Sequence, residues 1–254
     1  MRCSKKIVLL AFCSVVLAGC VNRPAKTEAE VNYQEDILLK AKNYNGLITM
    51  YRSWLKNNDT ADSRIKLSRY YYLAGDYKSS LYYLQPLNMK NDVRVSILQA
   101  QNMIALGDYG PAIRVTDKML QQDADNAEAW NLRGVALALS GKAAEGQQAI
   151  DKSRELFIAD DVAINNLAMI AMLDYRYQDA VGLLLPQYLR GKKQSQILHN
   201  LVLSLVKVGD RRYAKNIIES ENLSNKPDEL IDALAAISPR GKGGINEACS
   251  TAAG

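Results

Sequence analysis

The sequence predicts an all-α superhelical solenoid built from antiparallel helix pairs: five complete repeats, a partial one before them and a capping helix after them. Three observations point there. First, a turn motif recurs at fixed spacing. Gly107-Asp108-Tyr109, Gly141-Lys142-Ala143, Tyr175-Arg176-Tyr177 and Gly209-Asp210-Arg211 follow one another in 34-residue steps. Upstream, Gly75-Asp76-Tyr77 lies 32 residues before Gly107, and Lys42-Asn43-Tyr44 a further 33 before that. Second, small residues recur at two fixed places in each repeat, with large apolar ones between them. Third, the last repeat is followed by Pro227-Asp228-Glu229-Leu230, which has the proline and acids of a helix start. A period of this length means stacked two-helix units, none of which buries its apolar face alone.

Composition allows this and excludes much else. The chain has 254 residues, 48% hydrophobic and 23% charged, enough for a sizeable core and too mixed for a disordered or collagen-like chain. It holds one histidine, His199. A zinc site needing two or three imidazoles is therefore excluded, and a histidine-based triad has only His199 to use. No cofactor site is expected. Gly241-Lys242-Gly243-Gly244 has no strand before it, as a phosphate loop would need.

The first element is a leader. Arg2, Lys5 and Lys6 precede an apolar run, Ile7 to Leu17, in which Ser14 is the one polar residue. The run is shorter than the ~20 residues that span a bilayer and fits a secretory signal core of roughly 7–15 residues. Residues 1–19 are thus expected to be removed. Its end, Leu17-Ala18-Gly19-Cys20, resembles a bacterial lipobox, which implies that the Cys20 thiol accepts a diacylglyceryl group. The plainer reading is an ordinary signal peptide with a chance cysteine.

Under the lipobox reading the even cysteine count loses its meaning. Cys3 and Cys13 leave with the leader, Cys20 becomes a thioether, and Cys249 alone keeps a thiol. No intramolecular disulfide remains. The formal charge of +5 falls by the three leader cations to +2, so an electrostatic nucleic-acid binder is excluded. Val21 rather than aspartate follows the cysteine, which implies sorting to the outer membrane, facing the periplasm. Residues 20–30 form the expected tether. The ten residues from Val21 to Glu30 reach roughly 35 Å when extended.

The solenoid is expected over residues 31–237. Its partial first unit pairs a helix over 28–41 with one over 46–55. In each later unit the turn residue is numbered fifteenth. The eighth residues are then Ser68, Ala100, Gly134, Ala168 and Val202, and the twentieth Ser80, Ala112, Gly146, Ala180 and Ala214. The twenty-fourth are Leu84, Thr116, Ile150, Leu184 and Ile218. This period and packing code resemble the tetratricopeptide repeat (TPR), in which helices A and B cross closely at positions eight and twenty. Pro86 and Pro186 sit at equivalent places in helix B, and proline inside a helix removes a hydrogen bond and crowds the preceding turn. Helix B is expected to end early or kink at both. The capping helix runs from Pro227 to about Ile237. The Gly/Ser/Ala-rich residues 238–254 lack periodicity and are expected to be disordered.

The TPR resemblance also implies a site. The concave groove of such a superhelix is lined by helix A near positions two, five, nine and twelve. Here Asn131, Asn165 and His199 recur at the fifth position, with Arg69, Gln101, Met169, Glu128, Val162 and Gln196 on the same face and Met172 further along. A row of amides donates to and accepts from an extended peptide backbone, and Met169 and Met172 supply an adaptable apolar floor. The plainer reading is that the asparagines are solvated and the methionines pack on the next repeat. Lys192-Lys193, Arg211-Arg212, Asp160-Asp161 and Glu219/Glu221 read as solvated helix ends. The tyrosines Tyr70, Tyr71, Tyr72, Tyr77, Tyr82 and Tyr83 read mostly as packing.

The stretches Asn131 to Leu137, Ile164 to Ala168 and Asn200 to Leu205, with Gly209-Asp210, Ala214 and the Leu184-Leu185-Pro186 ending, look most like TadD-like TPR lipoproteins of the tight-adherence (Flp pilus) assembly system. Tyr175 at the turn and Gly146 at position twenty depart from that pattern. The resemblance implies an outer-membrane, periplasm-facing lipoprotein that assists secretin assembly in the manner of a pilotin. Its partners would be the secretin or other Tad proteins and the membrane, with no nucleic acid and no small-molecule substrate. Two other classes stay open: a general periplasmic adaptor for outer-membrane assembly, type IV pilus secretins or peptidoglycan enzymes, and an enzyme, for which no catalytic cluster is found.

Overall fold

The structure is a computed structural model and describes residues 27–87 and 91–237. The leader, Cys20, and the tail with Cys249 lie outside the described residues. Thirteen α-helices are described. Helices α1 (Glu28–Lys40) and α2 (Tyr44–Leu55) form the partial unit. The five full units pair α3 (Ala61–Leu73) with α4 (Tyr77–Leu84), α5 (Val93–Ala105) with α6 (Tyr109–Gln122), and α7 (Ala127–Leu139) with α8 (Ala143–Glu155). They continue with α9 (Asp160–Leu173) and α10 (Tyr177–Leu189), then α11 (Ser195–Lys207) and α12 (Arg211–Ser220), and α13 (Pro227–Ala236) covers the open end. The solenoid begins a little before the expected residue 31, because Thr27 and Glu30 close a capping box on the first turn of α1, which satisfies two orphan donors.

The turn between helices A and B is the same six times. Its fifteenth residue is always left-handed: Lys42 (φ 50), Gly75 (φ 80), Gly107 (φ 81), Gly141 (φ 92), Tyr175 (φ 61) and Gly209 (φ 89). The next residue donates its backbone N–H back to the carbonyl five residues earlier, as Asp76 does to Tyr71 and Arg176 to Ala171. This closure of a helix C-terminus needs φ > 0. Tyr175, a departure at the sequence level, therefore keeps the turn with a strained backbone.

The small and large positions behave as a packing code. Ser68, Ala100, Ala168 and Val202 at position eight are buried, as are Ser80, Ala112, Ala180 and Ala214 at position twenty. Leu84, Thr116, Ile150, Leu184 and Ile218 at position twenty-four have no exposed surface. Cores change along the solenoid. The C-terminal units share one apolar cluster that joins Leu184, Leu198, Leu201, Leu205, Ile217 and the capping Ile231. Toward the N-terminus the interior holds polar side chains. The Ser68 hydroxyl donates to the Ser80 carbonyl at 2.9 Å, and Asn102 Nδ2 donates to Ser80 Oγ at 2.8 Å.

The two prolines part company. Helix α4 ends at Leu84 and a 3-10 turn holds Gln85–Leu87, so Pro86 ends its helix as expected. Of the two outcomes expected at Pro186, an early end or a kink, the early end does not occur: α10 runs through it to Leu189. Two facts explain the difference. The first full unit is two residues short, which leaves no room for a last turn. Pro186 and Gly182, whose carbonyl loses its partner, both face solvent, so water satisfies the freed oxygen.

Candidate peptide-binding groove

Helices A stand side by side and parallel. Asp161 at the start of α9 accepts from Gln194 Nε2 before α11 at 2.8 Å, and one turn further Asn165 Oδ1 accepts from Asn200 Nδ2 at 3.0 Å. Two rungs at successive levels fix both direction and register. Successive helices A pack on each other from α3 to α11, and successive helices B make no comparable contact. The A row is therefore the inner side of the curve.

Asparagines tie this row together. Asn166 Nδ2 donates to Asn131 Oδ1 at 2.7 Å, and Asn200 Nδ2 repeats the bond to Asn165. Each rung joins position six of one unit to position five of the unit before it, an offset of 35 residues. This corrects the picture of Asn131, Asn165 and His199 as three equivalent free amide-like groups. Asn131 is buried and holds the α7–α9 seam. Asn165 is half-buried and bonded on its oxygen. His199 is exposed, and its neighbour Asn200 takes the place in the ladder. The signal in the sequence is the doublet Asn165-Asn166 with the adjacent Asn200, which spans two repeat positions rather than one.

What stays open to a ligand is narrower. A hollow between α9 and α11 is lined by Val162, Asn165, Asn166, Gln196 and Ile197, with Asp161 and Gln194 at its rim. Val162 and Gln196 are exposed there. Met169 packs partly buried on the cluster that holds Ile150, Leu167 and Ile170, and Met172 on the C-terminal cluster, so they are walls of the core with one face free rather than an open floor. Arg69 on α3 is exposed and Gln101 on α5 half-buried, both away from the hollow. Glu128, at position two of α7, is desolvated by burial, which pushes its carboxyl above the ordinary value with no counter-charge offsetting it.

Several charges assigned to solvent are fastened. Lys193 Nζ lies 2.7 Å from Glu221, whose carboxylate also accepts from Tyr188 Oη at 3.0 Å. Lys192 reaches Asp161 at 3.6 Å, Arg154 reaches Asp160 at 3.2 Å, and Arg211 pairs with Asp232. Lys193–Glu221 and Lys192–Asp161 stitch neighbouring turns together, Arg154–Asp160 closes the turn between α8 and α9, and Arg211–Asp232 ties α12 to α13. Tyr70 and Tyr71 are buried, as expected of packing, and Tyr71 stacks on Tyr83 with ring centres 5.4 Å apart. Tyr82 is exposed. Among the described residues, no cluster of His, Cys, Asp and Glu is arranged to hold a metal.

No protein-family model and no curated protein matches the chain. Solved structures do. TTC0263, a thermophilic TPR protein of Thermus thermophilus, is 15% identical with TM-score 0.62 over 71% of this chain and 100% of that one. A tetratricopeptide repeat protein of Parabacteroides merdae is 12% identical with TM-score 0.56 over 82% of this chain and 88% of that one. The APC/C Cut9-Hcn1 structure is 16% identical with TM-score 0.59 over 85% of this chain and 43% of that one. The fold is a TPR superhelical solenoid.

Proposed function

We propose that the chain is an outer-membrane lipoprotein that serves as a protein-protein interaction scaffold, and that its inner face grips an extended segment of a partner. One observation carries the reading: the hollow between α9 and α11 sets the exposed Val162 between amide side chains that have hydrogen-bonding capacity to spare. Asn165 accepts one bond on its oxygen and keeps its Nδ2 hydrogens for a peptide carbonyl. Main-chain bonds then supply affinity and side-chain pockets supply specificity. Glu128, desolvated on the same face, suits a lysine or arginine of the bound segment. The Cys20 lipobox supplies the anchor. The resemblance to tight-adherence lipoproteins suggests the partner: a secretin subunit, carried to the outer membrane by the lipidated chain.

A photo-cross-linker placed at Val162, compared with one at the exposed Gln178 on helix B, tests the groove. Envelope extracts should yield one partner from position 162 and none from 178. The same partner from both positions would refute the groove. The pilus assignment is tested separately, and it sinks if the secretin multimerises normally in the outer membrane of a strain lacking this protein.

A further inference from the structure

Two of the most exposed apolar side chains lie in neighbouring turns. Phe157, 94% exposed, sits between α8 and α9, and Leu189, 69% exposed, ends α10. Phe157 is also left-handed, with φ 66, a conformation that costs a non-glycine residue about 1 kcal/mol or more. Exposure and strain together on a phenylalanine are unfavourable for a free chain. The two turns are adjacent in space, because Lys192, three residues after Leu189, pairs with Asp161, four residues after Phe157, at 3.6 Å. Arg190 follows Leu189 directly, while Lys192 and Lys193 beyond it are paired with Asp161 and Glu221.

Helices A run parallel, so every turn from helix B to helix A lies on one edge of the solenoid, and so does the start of α1 at Thr27. Cys20 is seven residues before Thr27, a distance of at most roughly 25 Å when extended. The segment that would carry the lipid therefore leaves the solenoid from the edge that displays Phe157 and Leu189. We propose that this edge lies against the bilayer, with Phe157 and Leu189 entering the headgroup region and Arg190 beside them at the level of the lipid phosphates. A diacylglyceryl group holds the chain at the bilayer without fixing its orientation, which a second, apolar contact sets. This orientation rests on the lipoprotein reading. It turns the helix axes toward the membrane normal and leaves the groove facing sideways, open to a partner in the same membrane.

The test uses the full chain purified from membranes and reconstituted in phosphatidylethanolamine and phosphatidylglycerol vesicles. Mass spectrometry of the same sample reads the Cys20 adduct. With Cys249→Ser in place, an environment-sensitive dye is attached at Phe157→Cys, at Leu189→Cys, or at Ser140→Cys on the opposite edge. All three sites are exposed, so folding is retained. Emission from 157 and 189 should shift to the blue in vesicles and be quenched by brominated lipids, with no change at 140. If Cys20 is unmodified, the anchor reading fails by itself; the chain is then held by a histidine tag before residue 21 on nickel-chelating lipid, and the same shifts are required. Water-like emission from 157 and 189 on either vesicle overturns the orientation. So does a blue shift without vesicles, which would mean that a second copy or another protein covers the edge.

Discussion

Gly134 and Gly146 face each other across the crossing of α7 and α8 so closely that neither has room for a methyl group. A Cβ on Gly134 would lie 2.8 Å from the Gly146 carbonyl oxygen and 2.5 Å from Ile150 Cγ1. A Cβ on Gly146 would lie 2.7 Å from the Gly134 carbonyl oxygen. Gly146 is thus a matched half of a pair, although it departs from the TPR pattern at position twenty. Restoring the usual alanine with Gly146→Ala should destabilise the protein by about 1–3 kcal/mol through overpacking against backbone. Thermal unfolding checks this, and an unchanged or raised Tm refutes it.

Tyr175 holds the left-handed place that glycine fills at four of the six turns. Tyr175→Gly relieves that strain, and the greater freedom glycine brings to the unfolded chain offsets part of the gain. A net gain of about 1 kcal/mol should appear as a Tm higher by about 2–4 °C. Gly182, inside α10 and not in the left-handed region, responds to the opposite change: with nothing within 4 Å of an added Cβ, Gly182→Ala should stabilise through helix propensity by about 0.5–1 kcal/mol.

Glu35 joins three helices. Its carboxylate accepts from Tyr51 Oη at 2.6 Å, from Lys66 Nζ at 2.8 Å and from Tyr70 Oη. Burial acts to raise its pKa, yet the bonds from Lys66, Tyr51 and Tyr70 and the Lys66 charge together bring it below the ordinary value. A lowered folded pKa means stability present at neutral pH and lost as pH falls below the usual carboxylate range. Glu35→Ala, which also strands two phenols, should cost about 2–4 kcal/mol at pH 7. The difference from wild type should shrink toward about pH 3, below the ordinary carboxylate value. Hydrogen exchange of α1 and α2 reads it locally, and a difference that stays constant with pH sinks the account.

The asparagine ladder predicts coupling. Asn165→Ala and Asn200→Ala should each destabilise, and the double variant should lose less than the sum by about 1 kcal/mol, the net worth of one hydrogen bond. Additive losses would mean that the rung contributes nothing.

Under the proposed groove, Glu128 gives up stability for partner binding. Its raised pKa means that the charged form is disfavoured by folding, so stability falls as pH rises through the window above the unfolded value. Glu128→Gln should raise Tm slightly at pH 7 and leave it unchanged in acid, while weakening retention of the partner in envelope pull-downs. Undiminished retention removes Glu128 from the groove.

Much of this was legible in the chain itself. The period placed both helices of every unit, and the buried plugs from Leu84 to Ile218 followed from their position. These features are local: a residue's place along a 34-residue unit decides whether it meets its own hairpin partner, and size alone decides whether it fits. The polar partnerships were not legible. Asn166 meets Asn131, and Asn200 meets Asn165, because neighbouring helices A are offset by one residue, a consequence of how the units tilt on one another. Glu35, at position eight, meets Lys66 at position six and Tyr70 at position ten of the next unit, a lateral contact set by how those two helices A lie together. Lateral offset, unlike period, leaves no mark on the spacing of apolar residues. The tertiary structure alone therefore decided which asparagines bind each other, which acids are fastened, and that Phe157 and Leu189 stand exposed on the edge from which the N-terminal segment departs.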